Sequence, residues 1–242
     1  MKKIKIFGVK VHDFIFSNFF PDLLNQNERT VRICVTPNID HFMRLTIDNS
    51  FASAYSSADY IFCDSRVAAK LYFLRHGMHI NVMPGSDLTK YIFDSKDFSH
   101  KSFCIIGSTD VCLQNFKSLY SHIKISSYSP PYGFIKSNDE ILKILNFIDE
   151  NSNLDYIFLA LGSPQQEILA SKIKKIFGRH RNFTIFCIGA SIDFLSGEQT
   201  RAPLFLQKMG MEWFFRLLTN PIRLAPRYFS NFIWLLKNWK NI

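Results

Sequence analysis

The stretch YIFLALGSPQQEILASKIKKIFGRHRNFTIFCIG, residues 156–189, decides the fold class. Two apolar runs, 156–162 and 183–189, are rich in Ile, Phe and Leu and both end in Gly. Between them QQEILASKIKKIFG has the spacing of an amphipathic helix. A buried strand, a helix and a second buried strand in that order form the repeating unit of a parallel sheet.

The same pattern extends outward in both directions. Short apolar runs recur at 3–8, 31–35, 60–63, 80–83, 102–107 and 123–127, most of them bounded by Gly, Ser, Asn or Asp. They read as buried strands. Helix-like stretches such as DHFMRLTIDNSFASAYS (40–56) lie between many of them. The alternation predicts an α/β fold, a Rossmann-like, mostly parallel sheet flanked by helices. From about Gly197 the strand signal stops and only helical pattern remains. The expected organisation is an α/β domain over 1–196 and a C-terminal helical appendage over 197–242.

Composition narrows the class. With 47% hydrophobic and 20% charged residues, the chain is globular rather than disordered. A net charge of +9 favours anionic partners such as nucleotides, anionic lipid or nucleic acid. Five cysteines show no CxxC spacing, and four of them lie in or beside apolar runs as small core residues, which implies a reducing compartment. Lys10, His12 and Asp13 interrupt any apolar segment near the N-terminus, so no signal peptide is expected. No run of 18 apolar residues predicts a membrane-spanning helix. The expected location is cytoplasmic, with membrane contact only peripheral.

In open parallel sheets, ligands bind beyond the carboxyl ends of the strands. The residues that follow the apolar runs are Thr36-Pro37-Asn38, Asp64-Ser65, Gly85-Ser86-Asp87, Gly107-Ser108-Thr109, Gly162-Ser163-Pro164 and Gly189-Ala190-Ser191. Turn chemistry alone explains any one of them; together they mark a ligand-binding edge. In LALGSPQQEILA, Ser163 can cap the helix, Pro164 suits its first turn, and Gln166 fits a capping box. Gly162 permits close backbone approach, and Gln165, Gln166 and Glu167 offer hydrogen bonds to a base, ribose or sugar. A well-capped helix with solvated polar residues is the plainer alternative. Asp64 directly follows a strand and can act as general base or cap the next helix. Asp193 and Asp87 occupy comparable positions. His41 reads as structural or solvated. No dinucleotide fingerprint, P-loop, Asp-x-Asp pair, zinc spacing or GxSxG elbow is present, so no metal site is expected.

The segment 201–240 holds all three tryptophans, Trp213, Trp234 and Trp239, with Arg201, Arg216, Arg223 and Arg227. Glu212 is its only acidic side chain. Unpaired arginine forks beside amphipathic aromatics suit a phosphorylated ligand held next to lipid. Pro221 and Pro226 argue against one unbroken helix, so the arginines are expected around a bend. Surface arginines over core aromatics remain the alternative.

In order along the chain, TPNIDH (36–41), Asp64, PGSDL (84–88), LGSPQQE (161–167), IGASIDFLSG (188–197) and RAP…MEWFFRLLTNPIRLAPRY (201–228) resemble the WecG/TagA/CpsF glycosyltransferases of bacterial surface-polymer synthesis. The resemblance implies an inverting hexosyl or N-acetylhexosaminyl transferase. It would move a sugar of the N-acetylmannosamine type, or a related hexose or uronic acid, from a UDP-sugar to an undecaprenyl-diphosphate-linked acceptor. The work would be done on the inner face of the cytoplasmic membrane, without a metal or other cofactor. Asp64 would be the catalytic base. Thr36, Asn38, Gly107, Gly162, Pro164, Gln166, Glu167 and Asp193 would serve the donor. Arg216, Arg223 and Arg227 would hold the acceptor diphosphate, while Trp234 and Trp239 seat the tail on an anionic membrane. Two departures stand out. The family's Asp-Gly-x-Gly loop is Asp64-Ser65-Arg66-Val67 here, and its Lys before Gln-Glu is Gln165.

Two other readings follow from the residues. A basic nucleic-acid-binding protein fits the charge and aromatics, but no RNA-binding signature is present and nucleic acid is not an expected partner. A catalytically silent scaffold of polymer assembly fits the altered Asp64 loop. Homo-oligomerisation is left open.

Overall fold

The computed structural model describes residues 2–24 and 30–242. Among the described residues eight strands form in order: β1 (Lys3–Ile6), β2 (Val9–His12), β3 (Val31–Val35), β4 (Tyr60–Ile61), β5 (Ser102–Gly107), β6 (Lys124–Tyr128), β7 (Tyr156–Ala160) and β8 (Phe183–Cys187). The last six make one parallel sheet in the order β4-β3-β8-β7-β5-β6. The α/β expectation therefore holds, and the quoted βαβ unit supplies two of its central strands.

Side chains alternate between the two faces along these strands, with most of the sheet's aromatics on one of them. Phe103, Tyr156, Phe158 and Phe186 point to one face, whereas Cys104, Ile157, Leu159 and Ile185 point to the other. The aromatic face is covered by α1 (Phe16–Leu24), then, after α2 (Ile39–Leu45), α3 (Asn49–Ser56) and α4 (Arg66–His76), by α5 (Gly85–Asp94) and α6 (Asp110–Leu119). The aliphatic face is covered by α3, α7 (Asn138–Glu150) and α8 (Gln165–Phe177). Sheet residues buried on both sides explain why these strands read as unbroken apolar runs. All five cysteines are buried and free, as small core residues should be.

Two strand expectations need correction. Residues 3–8 do not join the main sheet; β1 and β2 form an antiparallel hairpin. His12 bridges to Phe62, and its Nδ1 accepts from Ile61 N–H at 3.1 Å, so the hairpin covers the β4 edge. Residues 80–83 form no strand. Met83 N–H bonds Cys63 O at 2.8 Å and Asn81 N–H bonds Asp13 Oδ1 at 2.9 Å, which satisfies this short extended segment without a ladder. The helical stretch 40–56 is also two helices, because Asp48 accepts from Ser50 and Phe51 N–H and starts α3 afresh.

After β8 only helices follow: α9 (Ser191–Leu195), α10 (Leu204–Met209), α11 (Glu212–Thr219) and α12 (Pro221–Asn238). The break between α11 and α12 falls at Asn220, the residue before Pro221, whose φ of −141° and ψ of 60° leave the helical region. Pro226 breaks nothing and sits inside α12, contrary to expectation. The bend therefore comes from Pro221 alone, with Arg216 before it and Arg223 and Arg227 after it. Helix α12 returns over α2 and the hairpin. Trp234 packs against Phe7 with ring centroids 4.8 Å apart and planes tilted by 59°, and it donates from Nε1 to Thr46 Oγ1 at 3.1 Å. Trp234 thus anchors the tail to the α/β body rather than projecting from it, while Trp239 stays half-exposed.

Candidate active site

Two cavities open beyond the carboxyl ends of β3, β4 and β8, and they share Asn38, Asp64, Pro84, Glu212 and Arg216. The smaller, of about 100 Å³, lies over the sheet edge and includes Thr36, His41, Gln166 and the Gly189–Ser191 turn. The larger, of about 310 Å³, lies between the start of α4 and the helices α11 and α12. Asp64 stands where the two meet.

The loop after β4 is shaped without glycine. Asp64 N–H bonds Pro37 O at 3.0 Å, which ties the ends of β3 and β4 together. Ser65, not Asp64, caps α4, accepting from Ala68 N–H at 3.1 Å. Ser65 has φ −90° and ψ 107°, ordinary for any residue, and Arg66 and Val67 are already helical. The two missing family glycines therefore cost no backbone strain. Relieved of capping, the Asp64 carboxyl faces the cavities, with no hydrogen bond to it among the described residues. Its pKa is raised to about 7, first by burial and then by Glu212 and Asp87. Arg216 and Arg201 pull in the opposite direction. A carboxyl poised there exchanges protons near neutral pH, as a general base requires.

The smaller cavity rests on a buried polar network. Gln166 donates from Nε2 to Glu167 Oε1 at 2.8 Å and accepts from Gly189 N–H at 2.9 Å. Its amide is thereby oriented rather than free to rotate. Burial raises the Glu167 pKa to about 7, and Glu167 Oε2 and Ser163 Oγ are both buried without a hydrogen-bond partner, although the hydroxyl is near enough to favour the carboxylate. His41 is buried, not solvated: its Nδ1 lies 2.7 Å from Tyr55 Oη and 4.0 Å from Glu167 Oε1. Burial lowers the His41 pKa to about 3, so the ring is neutral and its approach to Glu167 is not an ion pair. Asn38 caps α2 by accepting from His41 N–H at 3.3 Å, and Thr36 sits against Gly85, where a Cβ would come 3.2 Å from its Oγ1.

Several sequence candidates fall elsewhere. Gly107, Gly162, Pro164, Asp193 and Arg223 line neither cavity. Gly107 has φ +105°, and a Cβ there would lie 2.4 Å from Ala160 O, so packing demands this glycine. Asp193 accepts from Ser108 Oγ at 2.6 Å, which braces Ser108 at its left-handed φ of 64°. The expected capping box at 163–166 does not form. Pro164 occupies the cap position without a side-chain bond, because α8 begins at Gln165 and places Gln166 too early to reach back.

Three of the four tail arginines are paired. Arg216 bonds Glu212 Oε1 at 2.6 Å and lies over the Phe194 ring at 4.8 Å. Arg227 Nε lies 3.2 Å from Asp40 Oδ1, on a buried carboxylate that Arg44 also holds. Arg201 meets Asp87 at 2.6 Å. Arg223 is exposed. Sequence reasoning noted Glu212 and Arg66 but gave no site role to Glu212 at the seam or to Arg66 in the larger cavity. The available signal was that Glu212 is the lone acid in an otherwise basic segment.

Residues 4–242 match the model of the Glycosyl transferase WecG/TagA/CpsF family. Among characterised relatives, an N-acetylglucosaminyldiphosphoundecaprenol N-acetyl-beta-D-mannosaminyltransferase of Bacillus spizizenii is 28% identical over 204 residues, 83% of this chain and 75% of its own. The protein of the same name from Bacillus subtilis is 27% identical over 73% of this chain and 67% of its own. That from Staphylococcus aureus is 23% identical over 81% and 75%.

Proposed function

The chain belongs to the WecG/TagA/CpsF glycosyl transferase family, and from that premise we propose that it moves an N-acetylmannosamine-type sugar from a UDP-sugar to an undecaprenyl-diphosphate-linked acceptor. The position of Asp64 at the junction of two cavities carries this reading. A transferase needs two substrates to converge on one base, and a hydrolase or simple binding site does not.

The donor occupies the smaller cavity, where Thr36, Asn38 and Gln166 meet its polar groups. The acceptor head enters the larger one. Asp64 accepts the proton of the acceptor hydroxyl as that oxygen attacks the anomeric carbon. The bond from that carbon to the UDP oxygen breaks with its electron pair leaving on UDP, and the configuration inverts. No step calls for a metal. Arg216 and Arg227 border the acceptor's diphosphate through the guanidinium N–H groups that Glu212 and Asp40 do not use.

The outer face of the tail fits a membrane surface. Leu204, Phe205, Leu218, Ile222, Phe229 and Leu236 are more than half exposed, and no acidic residue follows Glu212. No helix among the described residues is long and apolar enough to cross a bilayer. The tail would lie in the interface, bringing the larger cavity to the lipid-linked substrate. The test is incubation with a panel of UDP-sugars and a short-chain GlcNAc-diphospholipid, read by mass spectrometry. A disaccharide-diphospholipid formed only with a UDP-N-acetylhexosamine supports the proposal; no product with any donor refutes it.

A further inference from the structure

Six charged side chains line the larger cavity: Asp40, Asp64, Arg66, Glu212, Arg216 and Arg227. Four are accounted for in pairs, Arg216 with Glu212 and Arg227 with Asp40. Of the remaining two, Asp64 is the proposed base. Arg66 is thus the cavity's one cation with no carboxylate at ion-pair distance among the described residues.

Its location is not explained by the helix that carries it. Arg66 is the first residue of α4, where a positive charge opposes the helix dipole, and the first turn holds no acid to offset it. Its stem is confined by the tail. Gly210, at φ +76°, lies so close that a Cβ there would come 3.3 Å from Arg66 Cβ. Lys70, one turn later, donates to Met209 O, which fastens the same face of α4 to the α10–α11 junction. Packing on this side leaves the guanidinium the cavity to occupy.

We propose that Arg66 is the primary anchor for the diphosphate of the lipid-linked acceptor. An anion that engages the free N–H groups of Arg216 or Arg227 meets a charge already largely neutralised by the carboxylate in place. Arg66 binds the anion without breaking any ion pair, and its planar fork suits two phosphate oxygens at once. The tail arginines then complete the cradle as secondary contacts. This assignment rests on the acceptor entering the larger cavity, as proposed above.

The test is equilibrium binding to the full chain, followed through the fluorescence of Trp213, which lines the same cavity. The ligands are a short-chain GlcNAc-diphospholipid, a neutral lipid glycoside of GlcNAc, and UDP. Arg66→Ala should weaken the diphospholipid at least tenfold and leave the neutral glycoside and UDP within twofold of wild type. Arg66→Lys should recover part of the loss. An unchanged Kd for the diphospholipid overturns the proposal, as does an equal loss for the neutral glycoside. A wild-type protein that binds neither lipid overturns it too. Because binding is read without turnover, failure to transfer sugar would sink the transferase reading while leaving this one standing. Normal transfer with a Kd indifferent to Arg66 would do the reverse.

Discussion

Replacing Asp64 by Asn tests activity and stability together, with opposite signs. In the folded protein its pKa is raised to about 7, against an ordinary value of 3.8. At about 1.4 kcal/mol per pH unit, the difference bounds the cost of holding Asp64 ionised at about 4 kcal/mol. The carboxyl faces open cavities, and screening by solvent there leaves about 1–2 kcal/mol. The sign follows from linkage. A folded-state pKa above the unfolded value contributes stability that is fully present below pH 3.8 and is lost as pH rises through 7. At pH 8 the wild type therefore carries the whole penalty, and Asp64→Asn removes it. Thermal unfolding at pH 8 should then occur roughly 3–6 °C higher in the variant. Sugar transfer should fall by about 10²–10⁴-fold, the usual worth of a general base. For the wild type, kcat/KM should drop about tenfold per pH unit below 7, reaching about a hundredth of its plateau at pH 5. UDP release and calorimetry at pH 5–8 measure both effects. A variant that retains activity within threefold, or a wild-type profile flat across that range, would refute the assignment of Asp64 as base.

Three further outcomes follow from the same geometry. Gly107→Ala should destabilise the fold by about 2 kcal/mol or more in denaturant unfolding, because its Cβ would collide with Ala160 O, whereas Gly162→Ala, which meets nothing within 4 Å, should leave stability unchanged. Ile222→Glu, at a side chain 93% exposed, should leave the melting temperature as it is and reduce sedimentation with anionic vesicles several-fold; undiminished binding would remove the tail from the membrane interface. Proton NMR should show His41 neutral throughout pH 5–8, since burial holds its pKa near 3, and a titration midpoint near 6.5 would contradict its packed setting.

Much of this architecture was legible because it depends on local periodicity. Strands β7 and β8 and helix α8 announce themselves in 156–189, since residues buried on both faces of a parallel sheet must be apolar without interruption. Asp64 was legible as well, because a polar residue directly after such a strand is delivered to the carboxyl edge. The same logic failed at 80–83, where a short apolar run has too little length to separate a strand from an extended connector. It also failed at 3–8, where a strand's existence says nothing about its partner.

Layered α/β order, the placement of polar loops at the carboxyl edge and the basic, aromatic character of the tail are all written in local sequence. How those parts meet depends on the folded chain. Folding of α11 and α12 over the edge brings Glu212 to Asp64, matches Arg216 and Arg227 with carboxylates, and leaves Arg66 open to the larger cavity. A cluster of arginines in a sequence looks unpaired because its partners lie in distant segments, and charge pairing is set by distance in space. Burial periodicity is written into neighbouring residues, but electrostatic environment depends on every element packed around a group.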